Sequence, residues 1–592
     1  MTGDETAGDR TDGGRATGAR GASASAGTPD ETEEFRVHTT DSPDDGVRVF
    51  GRPLHASAER LADEYRNRDL SDFLAAEARR SCGSYVLADF AEEGVRLVTS
   101  PGYPGGYVAP LGDSTVVATV LSRALEYVPR ERLSFDPDAL ERFYERVELQ
   151  LPFTSVFESI HRLPPASYID VDGGSIAEFR HFAGRGEGRP ANLASAFGEI
   201  ARPVADEDVL LLFSGGVDST AYYLALDRHR GDGALDLAAV DIGPNANNVP
   251  RARRVADAAG AELDVFDYRW PPDSAATLDR LQRNLERDFV NPFAPSNGLD
   301  ADDRYDIVCN GQNTDAVATV DMKRPQLSPG AYLYATRDFG GFAFKVAKNA
   351  QFTDPYVESE TLRRLYARLA LSVRDTDFAA DPSAIGYLVG AVSCMRPTFV
   401  APGDDETATE EVGTLLARTR ESDLRTAIDV LNFYYYSHNM SKELTTFPVA
   451  DGTRMSLPAN WGPLVSYFLG KRRRFRDAIS PKREIYEYVA DRLGRTYQDA
   501  AFDSVADRKR EMAAESAYKA DLPLPLLGRN ADRLDPDESL VVSMASDDEL
   551  AADLRTRYES ALGRVGGTAT YHEARKLHRI VNLEAILSNV YG

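Results

Sequence analysis

DVLLLFSGGVDSTAYYLALDRH, residues 208–229, is the stretch on which the fold turns. The apolar run Val209–Phe213 reads as a buried strand, Ser214-Gly215-Gly216 as a tight turn, and the remainder as a helix. Glycines let the backbone turn sharply and aim N–H groups at an anion, and a helix N-terminus adds the positive end of its dipole. The hydroxyls of Ser214 and Ser219 can donate to phosphate oxygens, Thr220 completes the string, and Asp218 can hold Mg²⁺. The stretch is distinct from the Walker phosphate loop: G-x-x-x-x-G-K-[ST] is absent and no lysine is near.

Downstream, DLAAVDIG (236–243), AELDVFDY (261–268) and DIVCNG (306–311) read as further strands, with an amphipathic helix over 250–260. Strands alternating with helices predict an α/β, doubly wound parallel sheet. From about residue 355 the pattern is mainly helical. Upstream, residues 36–185 read as an α+β domain. SYVLADF (84–90), GVRLVTS (94–100), GYVAPLG (106–112) and STVVATVL (114–121) are strand-like, and SYIDVDGGSIAEF (167–179) reads as a hairpin on a Gly-Gly turn. Helical stretches are expected around 56–80 and 136–147. Residues 1–35, built from Gly, Ala, Thr, Asp and Arg, predict a disordered acidic tail. The expected second domain runs over 192–592.

The chain has 592 residues and a net charge of −26. Such a surface repels phosphate backbones and anionic lipid, so neither nucleic acid nor a membrane is an expected partner. Only nine of its 68 basic residues are lysine, none before Lys323. Acid excess with scarce lysine is the habit of salt-loving cytoplasmic proteins. No apolar run approaches the ~18 residues of a membrane span, and the N-terminus lacks an apolar signal-peptide core; a cytoplasmic location is expected. Cys82, Cys309 and Cys394 are far apart and form neither a disulfide framework nor a zinc site, so all three are expected to be small core residues.

The Ser214–Thr220 string resembles the pyrophosphate-binding loop of the ATP pyrophosphatases. VFESIHRLPPASYIDVDGG (156–174) and HEARKLHRIVNLEAILSNVY (572–591) resemble segments of the asparagine synthetase family within that group. The resemblance spans roughly residues 36–592. It implies an N-terminal Ntn-hydrolase-like, glutaminase-type sandwich followed by an adenine-nucleotide-binding synthetase domain, ATP and Mg²⁺ as cofactors, and pairing into a homodimer. Gly311-Gln312-Asn313-Thr314-Asp315 matches the family's second acidic motif, which implies that Asp315 partners Asp218 in gripping Mg²⁺. Gln312 stands where the family has glutamate, or tyrosine in the β-lactam synthetases; an amide cannot take a proton at pH 7. Arg454, in GTRMSLP (452–458), falls where the family has another glutamate, and suits an acidic substrate group. Lys509 lies where the family keeps a lysine that neutralises transition-state charge, with Lys482 as the competitor.

The family's glutaminases use an N-terminal cysteine as nucleophile. Residue 2 here is Thr, and Cys82 is internal, without a free amine. The expectation is therefore an ATP-dependent, AMP-forming ligase without glutaminase activity. It would adenylate a small-molecule carboxylate, release pyrophosphate, and pass the acyl group to ammonia or an amine. A catalytically inactive nucleotide-binding scaffold and a tRNA-modifying enzyme are the alternatives, the latter disfavoured by the negative charge.

Overall fold

A computed structural model describes residues 38–39, 46–145, 155–284, 304–311, 314, 317, 454–469, 483–494 and 521–592, with breaks at 92–93, 104–105, 112–113, 119–120, 173–174, 183–187 and 242–247. The first half follows the order β1 (His38–Thr39), β2 (Gly46–Pro53), α1 (Ala58–Asn67), α2 (Leu70–Arg80), β3 (Gly83–Ala91), β4 (Gly94–Thr99), β5 (Gly106–Pro110), β6 (Ser114–Ala118), α3 (Leu121–Leu125), α4 (Pro137–Glu145), β7 (His161–Leu163), β8 (Ser167–Asp172) and β9 (Ser175–His181). These strands build two antiparallel sheets, ordered β2-β3-β4-β8-β9 and β1-β6-β5-β7.

Local chemistry sets several boundaries. The helical stretch expected over 56–80 divides in two: Asp69 accepts from the backbone N–H of Ser71 and starts α2, just as the Ser57 hydroxyl accepts from Arg60 N and starts α1. The expected hairpin is present, with Asp172 paired to Ser175 across the Gly-Gly turn. Along β3, Tyr85 and Leu87 join the core under the helices, while Val86, Ala88 and Phe90 are buried on the opposite face. The five-stranded sheet is thus covered on both sides.

In the second half, α5 (Leu193–Ala201) leads into β10 (Val209–Leu212), α6 (Val217–His229), β11 (Leu235–Asp241), α7 (Val249–Ala259), β12 (Asp264–Asp267), α8 (Ala275–Asn284) and β13 (Ile307–Asn310). β10, β11, β12 and β13 form a parallel sheet with interleaved helices. A short strand, β14 (Arg454–Ser456), extends it in parallel beside β13, giving the order β12-β11-β10-β13-β14. The described remainder is mainly helical: α9 (Gly462–Leu469), α10 (Arg483–Leu493), β15 (Leu522–Pro523), α11 (Pro525–Arg529), α12 (Leu540–Ser543), α13 (Asp548–Leu562), β16 (Thr568–Ala569) and α14 (Tyr571–Tyr591). Among the described residues no helix is long and apolar enough to cross a membrane.

Among the described residues two large cores hold most of these elements, and each draws on both halves. One combines Leu61, Phe73, Cys82 and Tyr85 with Phe197, Leu211, Tyr222, Trp461, Val465 and Tyr488. Helix α9 docks on the end of α2, where Gly462 N donates to Ser81 O at 2.8 Å. A Cβ at Gly462 would lie 3.0 Å from Glu77 O and Ser81 N, so this helix contact needs glycine's missing side chain. The other core combines Tyr107, Val116 and Phe143 with Trp270, Leu527, Tyr558, Leu583 and Leu587. Helix α14 seals it: the Tyr591 hydroxyl lies 2.7 Å from the carbonyls of Leu125 and Val128, and Arg579 donates to Phe143 O.

Candidate functional site

Strand β10 is central, and its register explains its composition. Val209, Leu211 and Phe213 face the core shared with α5 and α6, while Leu210 packs with Ala238, Tyr305 and Val308 on the other face. A strand buried on both sides reads as a continuous apolar run. It ends as Phe213 N donates to Ala238 O at 2.7 Å, and the chain then turns at Gly215, whose φ of +66° lies in the left-handed region. A Cβ there would also lie 2.9 Å from Ala252 Cα and Arg251 O. The first turns of α7 therefore pack directly against the Ser214–Gly216 turn.

Inside the turn the hydroxyls organise the backbone. Ser214 Oγ accepts from Gly216 N at 3.3 Å and lies 3.3 Å from Ser219 Oγ. Ser219 and Thr220 donate to Gly216 O at 3.2 and 2.8 Å. From α7, Arg251 Nε donates to Ser214 O at 3.0 Å, which brings a guanidinium alongside a turn that has no lysine. Helix α6 starts after Gly216 and α7 after Asn248, and neither of these two N-cap residues caps its helix with its own side chain. Two helix N-termini thus meet one turn, each with the positive end of its dipole there. Asp218 lies in the first turn of α6 and is partly buried.

The neighbouring strand brings up the second motif. β10 and β13 are in register with Leu212 opposite Asn310, so their chains leave the sheet at one level. The sheet grows outward from β10 through β11 and β12, then reverses, and β13 is laid on the opposite side of β10. This reversal is the switch point at whose carboxyl edge open α/β sheets bind ligands. Gly311 follows β13 and rests against α6: a Cβ there would lie 3.1 Å from Ser219 N and 3.2 Å from Ser219 Cα. Thr314 Oγ1 donates to Gly311 O at 2.9 Å and lies 3.1 Å from the hydroxyl of Tyr222 on α6.

Ser214, Gly215, Gly216, Asp218, Ser219, Thr220 and Gly311 are therefore gathered in one place. Gln312, Asp315, Lys482 and Lys509 lie outside the described residues. Arg454 opens β14, paired with Ile307 at the start of β13, three residues before Asn310 at the carboxyl edge. The sequence reading singled out neither Arg251 nor Tyr222, and gave Thr314 no role beyond its place in the Gly311–Asp315 motif. Tyr222 could have been found by its spacing, four residues past Asp218 on the same helix face.

Among the described residues, no three or more His, Cys, Asp and Glu side chains gather into a metal-binding group. A nucleotide-bound Mg²⁺ needs less, one or two carboxylates plus phosphate oxygens. Asp218, beside hydroxyls and two helix N-termini, fits that smaller demand.

The first half holds a different ionisable cluster. Glu77 is fully buried; its Oε1 accepts from Arg80 at 3.1–3.2 Å, and its Oε2 accepts from Tyr85 and lies 3.5 Å from His55 Nε2. Burial alone would raise its carboxyl, but His55, Tyr85 and Arg80 hold it below the ordinary 4.5. Cys82 is fully buried, with its thiol pushed well above its usual range by burial, and burial pushes the Cys309 thiol up to about 12. Cys394 lies outside the described residues. No family model matches this chain, and no curated protein matches it either.

Proposed function

We propose that this chain is an asparagine-synthetase-like, AMP-forming carbon–nitrogen ligase without glutaminase activity. The observation that carries the reading is the meeting, at the switch point between β10 and β13, of the SGGVDS turn and the segment beginning Gly311. In this reading the parallel sheet is an ATP-pyrophosphatase domain, and the two antiparallel sheets are a glutaminase-type sandwich that has lost its nucleophile. The buried Cys82, in tight core packing with its thiol proton retained, supports that loss.

Backbone N–H groups of the Ser214–Ser219 turn, with the Ser214 and Ser219 hydroxyls, bind the β- and γ-phosphates and orient them in line. Asp218 and Asp315 would hold Mg²⁺, which when bound neutralises the triphosphate. A substrate carboxylate oxygen attacks the α-phosphorus; the bond from that phosphorus to the bridging oxygen breaks, and pyrophosphate leaves. Ammonia or an amine then attacks the acyl carbon, loses a proton, and AMP departs with the bonding pair. Lys509 would stabilise the charge that builds on the phosphates, and Gln312 would hydrogen-bond the substrate without taking a proton. The substrates are small molecules, in a chain whose charge of −26 disfavours RNA.

ATP–pyrophosphate exchange, measured in molar KCl with Mg²⁺ across a panel of carboxylates including aspartate and uronic acids, tests the proposal. Exchange that depends on one acid is the expected result. Folded protein that yields neither exchange nor AMP when ammonia and amines are added overturns it in favour of a nucleotide-binding scaffold.

A further inference from the structure

Asn248 stands immediately before α7, a place where asparagine ordinarily caps the helix with its side chain. It gives α7 no such cap; its Oδ1 accepts instead from Arg251 Nη2, at 3.1 Å. Arg251 Nε donates at 3.0 Å to Ser214 O, so a second acceptor holds the same side chain against the Ser214–Gly216 turn. A guanidinium ordered in advance gives up less freedom when it binds an anion. The turn also has a filled side and an open side. A Cβ at Gly215 would meet α7 backbone, Ala252 Cα and Arg251 O, at 2.9 Å. A Cβ at Gly216 would meet, among the described residues, only Ser214 Oγ, at 3.2 Å. That open side adjoins the first N–H groups of α6, which starts after Gly216. The sequence has no lysine before Lys323, so the permanent positive charge on β10, α6 and α7 is all arginine.

We propose that Arg251 is the cation of this turn, binding a diphosphate group seated over Gly216. Its guanidinium does there what a lysine does in other phosphate loops. The inference rests on the nucleotide reading given above, and it concerns phosphate binding without metal. Asn248 is a positioning residue, which acts by holding the guanidinium at the mouth of the turn.

The test is isothermal titration calorimetry of the full-length protein with sodium pyrophosphate in molar KCl and EDTA, where neither metal nor turnover contributes. Two substitutions separate the charge from the tie to Ser214, each checked for folding by its melting curve. Arg251→Gln has its amide nitrogen at the same point along the side chain as Nε, so it keeps a donor for Ser214 O and loses the charge. Arg251→Lys keeps the charge and puts a methylene where Nε was. Arg251→Gln weakens pyrophosphate binding roughly 10- to 100-fold, the range of a charged hydrogen bond, while Arg251→Lys stays within about threefold of wild type. Wild-type affinity in Arg251→Gln, or a loss in Arg251→Lys as large as that in Arg251→Gln, overturns the inference and leaves the nucleotide reading standing. Wild-type protein that takes up neither pyrophosphate nor ATP overturns the nucleotide reading itself, and the role of Arg251 with it.

Discussion

The two halves of this molecule place their most conspicuous polar groups differently. In the antiparallel half, a fully buried carboxylate is surrounded by His55, Arg80 and Tyr85, and α1 and α2 begin on side-chain caps from Ser57 and Asp69. The buried carboxylate there is satisfied by the side chains around it. In the parallel half α5 is capped by Asn192, whereas the N-cap residues of α6 and α7, Gly216 and Asn248, supply no cap from their own side chains, although such a cap is worth about 1 kcal/mol. Both of these helix N-termini meet at the Ser214–Gly216 turn. One half gathers polar side chains around a buried carboxylate, and the other turns two helix N-termini toward a switch point. Disturbing the first should cost stability, and disturbing the second should cost activity.

The largest effect should fall on the second half. Asp218→Ala should reduce ATP–pyrophosphate exchange by on the order of 10²–10³, while its urea midpoint stays near wild type. Loss of exchange accompanied by equal loss of stability would break the contrast. Next comes Glu77→Gln, which leaves buried basic groups without their carboxylate and should destabilise by about 3–5 kcal/mol. Because that carboxyl is held below 4.5 in the folded protein, its stabilisation is full at pH 7 and is lost as pH falls through the folded-state value. Urea midpoints of wild type and variant should therefore converge in acid, and a gap that stays constant down to pH 3 would contradict the network.

A matched pair of glycines sharpens the contrast. Gly215 and Gly51 both have positive φ, +66° and +82°, and a Cβ on either would meet backbone atoms, at 2.9 Å and 2.5 Å. Alanine at each should cost about 1–3 kcal/mol of strain. Gly215→Ala should also raise the KM for ATP about tenfold, whereas Gly51→Ala should lower the melting temperature and leave the KM alone. The smallest effect is a non-event: iodoacetamide at pH 8 should label neither Cys82 nor Cys309 in folded protein, measured by peptide mass spectrometry, because burial raises both thiols.

Parts of this arrangement were legible in the sequence. β4, β5, β6, β10, β12 and β13 fall within the stretches read as strands, and β3 and β11 overlap theirs, because buried strands favour apolar runs between turn residues. The Ser214–Thr220 string stood out because its chemistry is local. β2 was not recognised: GVRVFGRP mixes arginines with glycines, and Arg52 makes sense only across the fold, where it pairs with Glu207 at 2.5 Å. The three-residue β14 was equally silent, since it gains its identity only by pairing with β13. The Glu77 cluster and the Tyr222–Thr314 contact also escaped notice. Their partners lie up to 92 residues apart, and nothing in local patterning announces a long-range hydrogen bond.

Helix α14 has a consequence for how the chain is made. It closes a core whose other members begin at Tyr107, about 480 residues earlier. At ~5–20 residues per second, translation separates the two by roughly 24–96 s. During that interval the nascent first half carries an apolar face with its cover not yet synthesised. A ribosome stalled late in the message would release a product that has every strand of the parallel sheet and still lacks the piece that shields its oldest surface.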